Sequence, residues 1–318
     1  MDTLNKKYIW TFFLVLLLVM VAAYLFNVYL AKPVPKYYSS DADAAIKCIT
    51  VKDTEGNIIF QTGEPVHVED EYINEKNQHY IVTKVSGAEG VAEIKTQLPP
   101  SDKADALNTT SSGLILPNYR IPAAAPLQNI HVVIYHTHTD ESYIPTSGKA
   151  SEPGHGDVLK IGKIMQTSLH NDGISASHSD NTHDPHDINA YNRSRRTAAQ
   201  LIKEQPDAVF DLHRDSAPVQ AYKTSINGVD SAKIMIVIGR SNPNMQTNLA
   251  FAKRIKAAAD ELYPGLMRGI FMGKGDYNQD LYPTSLLFEC GTDQLSEDDV
   301  IIAVHSLTDA VISVLQEK

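Results

Sequence analysis

Apolar residues fall along this chain in three rhythms, and each predicts a different kind of structure. The first is an unbroken run. Residues 8–31 (YIWTFFLVLLLVMVAAYLFNVYLA) hold no charge and exceed the roughly 20 residues that cross a bilayer as helix. Lys6 and Lys7 precede the run, which predicts a single-pass anchor at 1–31. Its N-terminus is then cytoplasmic and the remainder extracytoplasmic. A cleaved signal peptide has a shorter apolar core followed by a small-residue cleavage site, and this chain has neither.

The second rhythm is alternation. After a linker at 32–43 with Pro and Tyr, residues 44–96 read as strands at 48–52, 58–60, 80–85 and 91–94, with turns at 53–57 and 63–65. This predicts a small all-β module without a convergent catalytic set. Residues 97–127, rich in Pro, Ser, Asn and Ala, read as a second, extended linker. The third rhythm fills 128–318. Short apolar runs at 132–135, 208–212, 234–238 and 285–288 alternate with helical periods at 157–169, 192–204, 244–262 and up to about 315. Ser296 and the acids after it cap the final helix. Strands alternating with helices predict an α/β domain, with a mixed, mainly parallel central sheet flanked by helices.

Composition narrows the function. Apolar residues make up 43% of the 318, so a sizeable core is available. A net charge of -10 argues against a nucleic-acid partner. The two cysteines, Cys48 and Cys290, form no CxxC pattern and are expected to be unpaired.

The chemistry sits where three apolar strands run out. Residues 132–135 lead into His136, His138, Asp140 and Glu141; 208–212 into His213, Arg214 and Asp215; 285–288 into Glu289. In a parallel sheet such ends share one edge. Two of these histidines and a glutamate make the ligand set of a catalytic zinc ion, with a fourth position open to water. His138 and Glu141 are three apart, so one turn can aim both at one ion. Glu289 then serves as general base and later as general acid. Arg214 is assigned to a substrate carboxylate or to the developing oxyanion.

These motifs resemble a known family. YHTHTDESY at 135–143, VFDLHRD at 209–215, YNQDLYPTSLLFECG at 277–291 and the following TDQLSED look like stage II sporulation protein P. The start of the second helix, Tyr191-Asn192-Arg193-Ser194, fits too. That family comprises membrane-anchored peptidoglycan hydrolases related to zinc-dependent N-acetylmuramoyl-L-alanine amidases. The resemblance implies one zinc ion per chain, cleavage of the amide between N-acetylmuramic acid and L-Ala, and a second endopeptidase activity on cross-links. It implies work with sporulation proteins D and M at the septum during engulfment. Carried over by motif, His213 is a ligand and Glu289 the catalytic carboxylate. His138 is preferred to His136 as first ligand. Glu141 is the middle ligand, with Glu152 and His155 as alternatives. His136, Asp215, Tyr277 and Asn278 are assigned to the substrate. The tract 178–186 (HSDNTHDPH) reads as a polar loop lining the groove, with a second metal site as the alternative.

Three rivals share some features. Metallo-β-lactamase-type hydrolases use HxHxDH, but the last position here is Glu141. Phosphoesterases that open with HxH need further ligands on later strands. A non-catalytic wall-binding scaffold on the same fold is expected to lack Glu289 or a ligand.

Overall fold

The structure, a computed structural model, describes residues 17, 20, 21, 48–95 and 130–317. Of the expected anchor only Leu17, Met20 and Val21 are described, all helical. The linkers at 32–43 and 97–127 lie outside the described residues. Among the described residues no helix is long and apolar enough to cross a membrane.

The unit from Ser39 to Lys318 opens with β1 (Ile49–Lys52), β2 (Ile58–Thr62), β3 (Glu71–Asn74), β4 (His79–Ser86) and β5 (Glu89–Ile94). Next come β6 (His131–Tyr135), α1 (Ile144–Ser147), α2 (Val158–Asn171), β7 (Ser175–His178), α3 (Ala190–Leu201) and β8 (Ala208–Asp215). The chain continues through α4 (Val219–Tyr222), β9 (Lys223–Ile226), β10 (Val229–Ala232), β11 (Ile234–Gly239) and α5 (Met245–Leu262). It closes with β12 (Met267–Gly273), β13 (Ser285–Thr292) and α6 (Glu297–Gln316).

Eleven strands form one mixed sheet in the order β2-β1-β5-β4-β3-β12-β11-β13-β8-β6-β7. The three strands that carry the candidate chemistry, β13, β8 and β6, are neighbours and parallel. Their polar ends therefore share one edge, as the sequence predicts. β8 and β13 are buried along their whole length, which is why both read as continuous apolar runs rather than alternating ones. α6 starts as expected: Ser296 accepts the Asp299 N–H and Asp299 bonds back to the Ser296 N–H.

Two features differ from the sequence reading. β8 and β13 do not stop at His213 and Glu289. Glu289 lies opposite His213, and the register then shifts before Thr292 meets Asp215. Gly291, at φ 72, absorbs that bulge. The second difference is larger. The strands of 48–95 are not a separate module, because β3 pairs antiparallel with β12 and continues the sheet. Gly269 makes the join possible: its φ is +154, and a Cβ there would lie 2.7 Å from the Tyr72 hydroxyl. The Tyr72 hydroxyl donates to the Arg268 carbonyl at 2.8 Å, and Arg240 pairs with the buried Asp70 at 2.8 Å. Lys256, 2% exposed, reaches from α5 to Asn77 Oδ1 at 2.9 Å. One apolar core runs from Ile49 of β1 to Val314 of α6.

Candidate active site

Beyond β6 the chain turns over the edge of the sheet, and its four polar residues separate by environment. His136 is fully buried. Its Nδ1 lies 2.8 Å from the Leu212 carbonyl, which can only accept, so Nδ1 carries the proton. Nε2 therefore accepts from His178 Nε2 at 2.8 Å. Burial pushes His136 down to about 3 and His178 to about 4, so both rings are neutral. Gly162 of α2 packs on this pair, with no room for a Cβ against either ring. His136, assigned to the substrate from sequence, is thus a packing group that ties β6, β8 and β7 together.

His138 and Glu141 meet as their spacing predicts, Nδ1 to Oε1 at 3.3 Å. Burial pushes the His138 imidazole down to about 4, leaving a neutral ring with a lone pair to offer. Burial would raise Glu141, but His213, His138 and Arg214 beside it hold its carboxyl well below the usual range. Its Oε2 accepts the Arg214 backbone N–H at 3.0 Å. His186 stacks on His138, ring centroids 3.8 Å apart, and is held by Asp140 Oδ1 at 3.0 Å. His138, Glu141 and His186 each offer one ligand atom, all within 4.8 Å of one another. Two imidazoles and a carboxylate are a donor set that fits zinc.

His213 approaches Glu141 from the other oxygen, Nδ1 to Oε2 at 3.5 Å, while its Nε2 faces Asp211 Oδ1 at 3.0 Å. Burial opposes its charge, yet Asp211 and Glu141 together hold the imidazole well above its ordinary value. The grouping that places ligand atoms closest therefore contains His186 rather than the assigned His213. Of the tract 178–186, His178 packs on His136, His183 donates to the His136 carbonyl at 2.7 Å, and His186 reaches the cluster. The other candidates for middle ligand turn away: Glu152 pairs with Lys149 at 3.1 Å, and His155 is exposed.

Glu289 stands on β13 directly opposite His213 and is 2% exposed. Burial first, then the charges of Asp215 and Glu64, push its carboxyl well above the usual range. Its Oε2 is buried without a hydrogen-bond partner among the described residues. The remaining assigned residues are committed to the walls. The Arg214 guanidinium donates to the carbonyls of Ser142 at 3.2 Å and Ala150 at 2.7 Å, so it fixes the loop that carries Glu141. Asp215 accepts from Gly63 N–H at 2.6 Å and from the Tyr222 hydroxyl at 2.8 Å. Asn278 donates to the Tyr191 carbonyl at 3.1 Å and to Ser194 Oγ at 3.0 Å. Tyr277 alone of this group faces the centre. Its ring lies 5.5 Å from Tyr191, whose ring is in turn 5.5 Å from His138 and 6.4 Å from His213.

One residue went unread. Glu64, half-buried, comes from the turn after β2 and accepts the Tyr277 hydroxyl at 3.1 Å. Burial raises its carboxyl to about 7; Asp215 and Glu141 add to the rise, while His213 and Tyr277 oppose it. A lone glutamate in a Gly-Glu-Pro turn gives no signal of such a place.

Sheet and side chains define a class: a mixed α/β protein with a histidine–carboxylate centre at one edge of its sheet. The model of the family "Stage II sporulation protein P (SpoIIP)" matches residues 39–312, and the chain belongs to that family. The family resembled by the motifs is therefore the right one. Stage II sporulation protein P of Bacillus subtilis (strain 168) is 28% identical over 179 residues, 50% of this chain and 45% of the relative. The match spans about half the length of that curated relative. Among solved structures, an N-acetylmuramyl-L-alanine amidase from Mycobacterium smegmatis is similar at TM-score 0.42 and 12% identity, over 61% of this chain and 100% of its own. The catalytic domain of the amidase CwlV from Bacillus (Paenibacillus) polymyxa var. colistinus is similar at TM-score 0.39 and 16% identity, over 59% and 99%.

Proposed function

We propose that this chain is a zinc-dependent N-acetylmuramoyl-L-alanine amidase that remodels septal peptidoglycan during engulfment. In this reading it is held at the cell membrane by residues 8–31, with its site outside. The observation that carries the reading is the meeting of His138, Glu141 and His186 beside Glu289, a buried carboxyl with an unpartnered oxygen. The ion would be held by His138, Glu141 and His186. His213 is the alternative third ligand, favoured by the Asp211 carboxylate at its outer nitrogen, the usual brace of a metal-bound imidazole. When bound, the ion supplies Lewis acidity, lowering the pKa of water and polarising the attacked carbonyl.

The chain's own residues do the rest. Glu289 takes a proton from the attacking water and passes it to the departing amine as the C–N bond breaks. A carboxyl with raised proton affinity suits a group that must hold that proton between the two events. Arg214 keeps Glu141 in place through its backbone N–H and the loop carbonyls. Tyr191 and Tyr277 form the wall beside the histidines. Endopeptidase cleavage of cross-links and action with sporulation proteins D and M belong to the same proposal.

The test is incubation of the detergent-solubilised full chain with purified peptidoglycan, with products identified by mass spectrometry. Free stem peptides with a new L-Ala amino terminus, lost on chelation and restored by zinc, are expected. Unchanged wall material under all conditions, with the protein still bound to it, would favour the scaffold reading instead.

A further inference from the structure

The mechanism leaves Glu64 without a task, yet the fold holds it in place with several ties. Gly63 N–H donates to Asp215 Oδ1 at 2.6 Å, on β8 two residues beyond His213. The Arg268 guanidinium donates to the Gln61 carbonyl. Thr62 Oγ1 accepts the Glu64 N–H at 3.1 Å. Gly63 is pressed so closely that a Cβ would lie 2.8 Å from Ser216 Cβ. The turn is thus fixed against the strand that carries His213, and its next residue projects a carboxylate to Tyr277.

Tyr277 adds an independent observation. It adopts φ 50, followed by Asn278 at φ 57, a left-handed conformation that bulky side chains rarely take. Such outliers gather where a fold holds a side chain for use. Here the result is one wall of Glu64, Tyr277 and Tyr191 that ends on His138 and His213.

The acceptor chemistry of Glu64 decides what this wall receives. The neighbouring acids have cations: Asp70 has Arg240, and Asp215 has Arg268. Among the described residues no lysine, arginine or histidine is ion-paired with Glu64. Its carboxyl faces His213 on one side and Asp215 and Glu141 on the other, and a carboxylate can only accept, so an incoming partner has to bring an N–H or ammonium donor. The stem peptide of peptidoglycan offers both, as backbone amides and as the free amine of its diamino acid. The glycan strand offers hydroxyls and one acetamido N–H per sugar, but no ammonium.

We infer that Glu64, carried in by the N-terminal strands, positions the stem peptide by accepting a nitrogen donor of it beside Tyr277. This role rests on the peptidoglycan reading of the site. The experiment uses the full chain in detergent with Glu289→Gln, so that binding is read without turnover. The probes are a soluble muramoyl tripeptide with a free side-chain amine and its N-acetylated counterpart, titrated by calorimetry. Adding Glu64→Ala is expected to weaken binding about tenfold, and Glu64→Gln less, since its amide oxygen still accepts, with bound zinc and melting temperature unchanged. An effect confined to the free amine assigns the ammonium; an equal effect on both probes assigns a backbone N–H. In the hydrolytically competent chain, Glu64→Ala should raise KM more than it lowers kcat. Equal affinity with and without Glu64 overturns the inference, as does an equal loss in both variants with falling zinc content or melting temperature. Absence of any binding by the Glu289→Gln parent overturns it too. Full wild-type hydrolysis with a silent Glu64 sinks this role alone, whereas binding that depends on Glu64 without any hydrolysis sinks the amidase reading alone.

Discussion

Glu289 and His213 face each other across two parallel strands, and substitutions here separate the proton carrier from the metal ligands. Glu289→Gln keeps the shape and removes the proton carrier. Hydrolysis should fall by about 10²- to 10⁴-fold while bound zinc stays, read by product release and by metal analysis of the dialysed protein. Retained hydrolysis would exclude Glu289 from the proton path. For the metal, His186→Ala should lose zinc on dialysis, whereas His213→Ala should retain it. If Asp211→Asn instead weakens zinc by roughly 10- to 100-fold, His213 is the ligand and His186 belongs to the wall. At this scale the placement of His138 and Glu141 just beyond β6, and of Glu289 on buried β13 beside β8, was legible from the apolar runs that lead to them. The sequence was illegible where a loop decides. Glu64 arrives on an aperiodic turn that no pattern distinguishes from its solvated neighbours, and the His-rich tract 178–186 marks a groove without showing which of its histidines reaches the cluster. Arg214, Asp215 and Asn278 are hard to assign from sequence for a related reason. A polar residue beside a site motif can equally satisfy a backbone group, and these do.

At the scale of elements, the core strands and long helices followed from periodicity because both faces of the sheet are covered. β12 did not. Its MRGIFMG is broken by Gly269, which looks like a strand breaker until its neighbour is known. The glycine is where β3 approaches, so Gly269→Ala should cost at least about 2 kcal/mol, read by chemical denaturation. A neutral substitution there would mean that the join is loose. The pairing of β3 and β4 also carries a pH signature. Glu71 is held at about 2, chiefly by the hydrogen bond from His79 at 2.6 Å and then by Lys95 at 2.6 Å. A carboxyl with a depressed folded pKa stabilises fully above its unfolded value, about 4.5. That contribution fades as pH falls from there towards 2. Solvent screening keeps it to about 1 kcal/mol. Glu71→Gln should therefore lower the melting temperature at pH 7 and leave it nearly unchanged at pH 2; an equal drop at both would show that packing, not charge, is responsible.

For the whole molecule, the sequence suggests an enzyme tethered behind a separable β module, and the sheet says otherwise. A linker-like composition at 97–127 hides the fact that the strands before it and the strands after it pair. The family match beginning at residue 39 rather than near 128 agrees with one unit. The consequence can be tested by truncation. Without 48–95, β12 loses its partner and becomes an open edge built from Met267, Ile270, Phe271 and Met272, all buried in the intact sheet. An apolar unpaired edge invites pairing with another chain. Lys256 and Asp215 lose their contacts to the N-terminal strands at the same time, keeping Asp260 and Tyr222 as partners, and each lost hydrogen bond costs about 0.5–1.5 kcal/mol. A fragment of 128–318 should thus aggregate or melt far below a fragment of 39–318, which should unfold in one transition, as followed by size-exclusion chromatography and circular dichroism. If the shorter fragment is monomeric, melts at the same temperature and cleaves peptidoglycan with the same KM, the N-terminal strands are a passenger on the fold and Glu64 has no part in the site. If it folds but cleaves with a raised KM, the strands are dispensable for stability and required for the substrate, which separates the two contributions that the intact sheet combines.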